Sequence, residues 1–158
     1  MPKFTHLHVH TEFSLLDGLS KISKLVAKTK EFGQTHLAIT DHGVMYGAIE
    51  FYKKTTKEEI KPILGCEVYV AKESHLDKNK SDSNHMILLS ETFEGYQNLM
   101  KIVTIGQMEG FYYKPRVDKE ILSKYSKGII CTTACPGGRI QKLLIEESYE
   151  AAKKELQE

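Results

Sequence analysis

An α/β fold is predicted by three observations: short apolar runs alternate with segments of helical period, polar residues collect at the ends of those runs, and the composition can bury a core. The chain has 158 residues, 41% of them hydrophobic and 27% charged, which suits one soluble domain rather than a disordered segment. No internal repeat or interdomain linker interrupts it.

The elements follow in order. Phe4 to His10 reads as a strand. Leu19 to Phe32 reads as a helix, with Leu19, Ile22, Leu25 and Val26 on one face, Lys30 at its margin and Gly33 closing it. His36 to Thr40 is a second strand. Val44 to Lys57 is a helix with Ile49 and Tyr52 expected on its buried side, and Pro62 leads into a third strand from Ile63 to Val70. The polar stretch Lys72 to Asn84 reads as a solvated loop before a short strand from Met86 to Leu89. Thr92 to Met108 is a helix with Tyr96, Leu99, Ile102, Val103 and Ile105 inward, ended by Gly110, and Gly128 to Thr132 is a fifth strand. Glu146 to Glu158 is helical, with Glu150 and Lys154 spaced for an ion pair and no stop signal after it; this reads either as a stretch cut from a longer strand-helix barrel or as the end of a complete five-stranded open sheet, and composition does not separate the two.

Composition excludes several classes. The net charge of +1 and the lack of a Lys/Arg block leave no global footprint for nucleic acid, so any polyanion contact is local. No apolar run is long enough to cross a bilayer and no signal peptide is evident, so a cytoplasmic location and no membrane partner are expected. Cys66, Cys131 and Cys135 are odd in number and fit no zinc-ribbon spacing, which argues for reduced thiols. Cys66 is expected to face the helical layer and Cys131 to pack within its strand.

The chemistry lies at the strand ends. In a strand, residues two apart share a face, so His8 and His10 present two imidazoles side by side, a geometry that suits zinc, manganese or iron. The pair alone reads equally as a polar strand end. His6 shares that face and is expected deeper, as a hydrogen-bonded core histidine. Asp41-His42-Gly43 ends the second strand, offering an acid and an imidazole as ligand and orienter. Glu67 interrupts an apolar run, and its burial unpaired would be costly, so a cation is its natural partner. Asp17 reads as a turn acid, His85 as a loop histidine and Cys135 as a thiol at the same rim, while His36 and His75 are background. Phe111-Tyr112-Tyr113-Lys114-Pro115-Arg116 interleaves aromatics with cations; it could stack a base or hold a phosphate through Tyr113, Lys114 and Arg116, and it reads equally as a packing loop.

Six segments carry a family resemblance: His6-Leu7-His8-Val9-His10-Thr11, Phe13-Ser14-Leu15-Leu16-Asp17-Gly18, Thr40-Asp41-His42-Gly43, Lys61-Pro62-Ile63-Leu64-Gly65-Cys66-Glu67, Gly95-Tyr96-Gln97-Asn98-Leu99 and Gly110-Phe111-Tyr112-Tyr113-Lys114-Pro115-Arg116. Together they resemble the polymerase-and-histidinol-phosphatase (PHP) domain at the N-terminus of bacterial DNA polymerase III alpha subunits, and the resemblance covers essentially the whole chain. The His-x-His and Asp-His-Gly elements are common to the wider PHP superfamily, while the last two segments are far more specific to the replicative polymerase branch.

The resemblance implies a distorted seven-stranded β/α barrel, of which residues 1–158 hold the first five or so β/α units as a single partial domain without the late strands. It implies two or three divalent ions, zinc, manganese or iron. His8, His10 and a bridging Glu67 would serve one, Glu67, His85 and Cys135 a second, and Asp17 with His42 a third. The family's last two ligands, an Asp-x-His pair, fall beyond the sequence, so this stretch alone is expected to lack full activity. The implied function is metal-dependent phosphoester hydrolysis, a 3′ to 5′ exonuclease or proofreading activity on DNA. The implied partners are DNA, the remaining polymerase domains of the same protein, and replisome subunits such as a proofreading subunit or sliding clamp. A stand-alone phosphatase acting on a small monoester such as histidinol phosphate, and a non-catalytic domain stiffened by its metals, are the alternatives.

Overall fold

The computed structural model describes residues 4–157. Its elements are α1 (Ile22–Glu31), β1 (His36–Ile39), α2 (Ala48–Lys57), β2 (Lys61–Ala71), β3 (Ser83–Ser90), α3 (Phe93–Met108), β4 (Phe111–Tyr112), β5 (Lys114–Val117), α4 (Lys119–Lys124), β6 (Ile129–Thr132), α5 (Arg139–Glu146) and α6 (Tyr149–Gln157). The long strand β2 organises the sheet. One of its edges pairs antiparallel with β3, from Gly65 opposite Leu89 to Ala71 opposite Ser83. Its other edge is shared: β1 runs parallel to residues 61–64, and β5 runs parallel to residues 69 and 70. β3 in turn pairs antiparallel with β6, and β4 and β5 form a small hairpin.

The α/β class is as expected, and the sheet is mixed because the 72–82 connection carries no helix. A crossover between parallel strands needs a dozen or more residues, usually with a helix, whereas a plain loop returns the chain antiparallel. The expected strand from Phe4 to His10 is not formed as a strand. The segment lies beside β1, where Ala38 N–H donates to His6 C=O and Thr40 N–H donates to Val9 C=O. The two-residue step from Ala38 to Thr40 thus faces the three-residue step from His6 to Val9. The register slips by one at a bend centred on His8, and the Thr40 hydroxyl takes the Val9 N–H at 2.7 Å in place of a ladder carbonyl.

Two apolar clusters hold the layers. Ile22 and Val26 of α1, Leu37 and Ile39 of β1, Phe51 of α2 and Ile60 form the first, and Cys66, Val68 and Leu88 of the sheet meet Leu99 and Ile102 of α3 and Val117 in the second. Cys66 therefore faces the helical layer, as its alternation with Glu67 predicts. Two expected faces are corrected. Helix α2 begins at Ala48 and buries Ala48, Phe51 and Thr55, while Ile49 and Tyr52 are 58% and 51% exposed. Once Phe51 points inward, Ile49 lies on nearly the opposite side of a 3.6-residue turn and Tyr52 about a quarter turn away. Leu19 precedes α1 and is exposed.

Helix ends follow local chemistry. Gly33, at φ +63°, lets the chain leave α1 in the left-handed conformation while its N–H donates to Lys30 C=O. The Thr92 hydroxyl caps α3 by accepting from Gly95 N–H at 3.0 Å, and the Asp118 carboxylate caps α4 by accepting from Ile121 N–H at 3.0 Å.

Candidate metal centre

The turn after β1 places the first groups. Glu67 N–H donates to Asp41 C=O at 3.1 Å and Gly43 N–H donates to Glu67 C=O at 2.8 Å, so the Asp41-His42-Gly43 backbone brackets Glu67. Gly43 adopts φ +61°, and a Cβ there would meet Pro115 Cγ at 2.5 Å. The turn thus needs glycine for its backbone angle and for the close approach of the β4–β5 hairpin. Gln107 of α3 adds a hydrogen bond to Gly43 C=O at 2.8 Å.

Five expected residues meet beneath this turn. His8 Nε2 lies 2.8 Å from Glu67 Oε2 and 2.9 Å from His10 Nε2, and His10 Nε2 lies 3.4 Å from the same carboxylate oxygen. His42 Nδ1 is 2.8 Å from Glu67 Oε1, and its Nε2 is 3.1 Å from Asp17 Oδ2. The His10 and His42 rings stack with centroids 3.9 Å apart. Asp17 is exposed at the mouth, whereas Glu67 is only 4% exposed. Among the described residues, His8, His10 and Glu67 are the set of three whose ligand atoms all lie within 4.8 Å of one another.

Asp41 orients the cluster from beneath. Its carboxylate is 1% exposed and accepts from Thr11 N–H at 2.6 Å, the Thr11 hydroxyl at 2.8 Å and the Ser14 hydroxyl at 2.7 Å. It is an orienter, with its oxygens committed to these donors. Ser14 has given its one hydrogen to Asp41, so Oγ accepts from His42 N–H at 3.1 Å and from His10 Nδ1–H at 3.3 Å. A proton on Nδ1 makes Nε2 the nitrogen that faces Glu67: it hydrogen-bonds the carboxylate while protonated, and offers its lone pair where a cation takes the place of that proton, the tautomer that a metal ligand needs.

The donor set fits a cation. Ligands at about 2.0–2.1 Å in a tetrahedral zinc site stand roughly 3.3 Å apart, close to the 2.8–3.4 Å separations among His8, His10 and Glu67. His42 repeats the theme: with Nδ1–H donating to Glu67, a neutral ring turns its Nε2 lone pair toward the Asp17 oxygen, which needs a proton or a cation between them. Burial alone would raise the Glu67 carboxyl, but hydrogen bonds with His10, His42 and His8 outweigh it and hold it at about 2. The Glu67 hydrogen bond in turn raises His10 above its ordinary value. Burial, with Glu67 and Asp17 nearby, pushes Tyr69 up to about 12, so its hydroxyl, 3.2 Å from His42 Nδ1, keeps its proton.

The other expected residues divide. His85 Nε2 and Cys135 Sγ meet at 2.5 Å, and Gly137 N–H donates to that sulfur at 3.3 Å. The pair is not gathered with Glu67 into a set of three within 4.8 Å. It stands on the same face of the sheet, because His85 lies opposite Tyr69, two residues along from Glu67. Lys114 Nζ lies over the Tyr69 ring, 4.5 Å from its centroid, and Tyr113 is exposed beside it. Arg116 is a correction to the expected substrate contacts. It is 1% exposed, and its guanidinium donates to the carbonyls of Lys80, Asp77, His75 and Gly110. The planar fork pins the 72–82 loop to the hairpin and has no face left for a substrate.

Two further expectations are overturned: His6 is exposed rather than deep, because the bend at His8 turns the segment outward, and Cys131 is exposed rather than packed. Cys131 pairs with Leu88 and so lies on the α3 side, where a cavity of about 580 Å³ opens between the sheet and α5–α6. Three contributors were missed. Ser14 and Thr11 are short polar residues with no spacing signal. Tyr69 is two residues after Glu67, and period-two alternation alone places it on the same face.

With this geometry in place, comparison with known proteins decides the family: the PHP domain matches residues 6–158. The chain belongs to the PHP domain family. This PHP domain is 50% identical to DNA polymerase III subunit alpha of Borreliella burgdorferi, across 98% of the chain and 14% of that protein. It is 43% identical to DNA polymerase III subunit alpha of Thermus aquaticus, across 99% of the chain and 13% of that protein. The PHP domain thus spans about a seventh of the length of these relatives. A solved structure from Bifidobacterium adolescentis, described as a candidate metal-dependent phosphoesterase, shares the fold with a TM-score of 0.51 at 21% identity over 68% of this chain and 34% of its own. Among the described residues, no helix is long and apolar enough to cross a membrane.

Proposed function

We propose that this PHP domain forms a divalent-metal phosphoesterase centre within a replicative DNA polymerase subunit, hydrolysing phosphodiesters at DNA 3′ ends. The observation that carries the reading is the convergence of His8 Nε2, His10 Nε2 and the buried Glu67 carboxylate. These three residues would hold one ion, Asp17 with His42 would hold another, and the His85–Cys135 pair would supply donors for a third. Zinc, manganese or iron suits these donors, and such ions supply Lewis acidity toward phosphoryl oxygens and acidify water. The chain's own part is to fix the donors: Asp41 and Ser14 set the His10 tautomer, and Glu67 spans His8, His10 and His42 with its two oxygens. Relatedness to DNA polymerase III alpha subunits supports DNA as substrate, and supports a place in the cytoplasmic replisome beside the polymerase domains, a proofreading subunit and the sliding clamp.

The test is elemental analysis of protein purified without chelator, wild type beside His10→Ala, followed by digestion of a 3′-labelled oligodeoxynucleotide. Bound zinc, manganese or iron that falls in the variant, with release of labelled nucleotide that falls in parallel, is the expected result. Metal retained without any hydrolysis would leave a structural role for the ions. No bound metal would overturn the reading.

A further inference from the structure

The hairpin β4–β5 brings an exposed aromatic and a cation to the lip of the metal centre. Lys114 Nζ lies 4.5 Å from the Tyr69 centroid, and the Tyr69 hydroxyl is 3.2 Å from His42 Nδ1. The next residue, Pro115, is the one that packs against Gly43, so the hairpin and the His42 turn are held in one arrangement. Tyr113 stands at the hairpin apex between the paired Tyr112 and Lys114, at φ +61° and 77% exposed. Its ring is supported from below. It meets Tyr112 edge-on at 4.6 Å, and Tyr112 has the Arg116 guanidinium 5.3 Å from its centroid, with Arg116 itself fixed by four carbonyls. The tight hairpin turn accounts for the left-handed backbone of Tyr113; what packing does not require is an aromatic ring left 77% exposed at that apex beside the metal centre.

We propose that Tyr113 and Lys114 form a nucleotide subsite beside the metal centre. It takes the terminal nucleotide of a single-stranded polynucleotide, with the base on the Tyr113 ring and the phosphate on the Lys114 ammonium. A small phosphate monoester without a base would engage Lys114 alone and leave the platform idle. Aromatic stacking accepts any base, and a ring already braced loses little freedom when a base lands on it. The inference deepens the phosphoesterase reading and rests on it for its purpose, but binding can be read apart from hydrolysis.

The experiment is fluorescence anisotropy of 5′-labelled oligo-dT of ten nucleotides, titrated with the 158-residue chain across a salt series, with and without manganese, and with metal per chain measured in parallel. The variants are Lys114→Gln and Tyr113→Asn, asparagine being a residue that tolerates the left-handed backbone; thermal melts confirm that both fold. Lys114→Gln is expected to weaken binding about tenfold and to reduce the slope of log affinity against log salt by about 0.7, as for one lost phosphate contact on a single strand. Tyr113→Asn is expected to weaken binding about tenfold with the salt slope unchanged, as for a lost stack, and to leave competition by inorganic phosphate intact. Metal content stays at the wild-type level in both. Wild-type affinity and slope in the variants, or no oligo-dT binding by a metal-loaded wild type, would overturn the subsite and leave the metal centre standing. Tyr113- and Lys114-dependent binding by a chain that holds no metal would uphold the subsite and defeat the phosphoesterase reading instead.

Discussion

Ser14 donates its hydroxyl hydrogen to Asp41 Oδ1 at 2.7 Å, and this one bond sets the orientation of the metal centre. With its hydrogen spent, Ser14 can only accept from His10 Nδ1–H, so Nε2 is the nitrogen left facing Glu67, to be held by a proton or by a cation. Replacing Ser14 by alanine frees His10 to take either tautomer and removes one of the three donors to Asp41. The expected outcome is a drop of about tenfold to a hundredfold in metal affinity, the usual effect of losing a partner that orients a ligand. Competition against a zinc chelator measures it. Because His10 is raised above its ordinary value by Glu67, protons compete for the same lone pair, and affinity should fall further as the pH drops toward and below neutrality.

A second prediction concerns Gly43, whose φ of +61° and contact with Pro115 bind the His42 turn to the hairpin. Alanine there meets both a strained backbone and a Cβ 2.5 Å from Pro115 Cγ. The cost expected exceeds the roughly 1–2 kcal/mol of the left-handed conformation alone. Gly33 is the control: its φ is +63°, but a Cβ meets no atom within 4 Å, so Gly33→Ala should cost only that backbone penalty of about 1–2 kcal/mol. Urea unfolding of the two variants separates strain from collision.

His75 and Asp118, 43 residues apart, are expected to contribute to the acid response of the fold, beside Glu67 in the metal centre. Burial would raise the Asp118 carboxyl, but the His75 ring at 2.5 Å, the His75 N–H and the Ile121 N–H together hold it below its ordinary value. A carboxyl lowered in the folded state stabilises at pH values above its unfolded pKa of about 3.9, and the contribution is lost as the pH falls through that value toward the folded one. Asp118→Asn should therefore lower the Tm at neutral pH and flatten its fall between about pH 4 and pH 2. Melts across pH 2–7 test this. A parallel acid limb in the variant would place the acid response elsewhere.

What was legible in the sequence was whatever repeats with a period or resists burial. The two-residue spacing of His8 and His10 and the isolation of Glu67 in an apolar run pointed to their partners, and the family segments added Asp17 and His42. The loop character of residues 72–84 already held the antiparallel return of β3. Arg116 was not legible in the same way. A cation among aromatics reads alike whether it faces outward or inward, and its partners are backbone carbonyls, which leave no mark in a sequence. The same holds for His75, whose partner Asp118 lies on a distant helix cap. The strand expected over residues 4–10 failed for a local reason, since the Thr40 hydroxyl replaces a ladder bond and shifts the register.

The face of α2 shows how one residue sets a helical phase. Ile49 and Tyr52 are apolar and three apart, which suits a buried stripe, yet Phe51 competes for the same core and wins. A phenylalanine removed entirely from water contributes about 1.5–3 kcal/mol by burial, and Phe51 lies among Ile22, Val26, Leu37, Ile39 and Ile60. Turning the helix to bury Ile49 would expose that ring for a smaller side chain. Phe51→Ala is expected to cost about 3–5 kcal/mol, the loss typical of an emptied aromatic site. Ile49→Ala should stay within about 0.5 kcal/mol, as for a surface substitution. Chemical denaturation of the pair decides between the two faces, since an Ile49 effect as large as that of Phe51 would require the helix to be turned by nearly half a revolution.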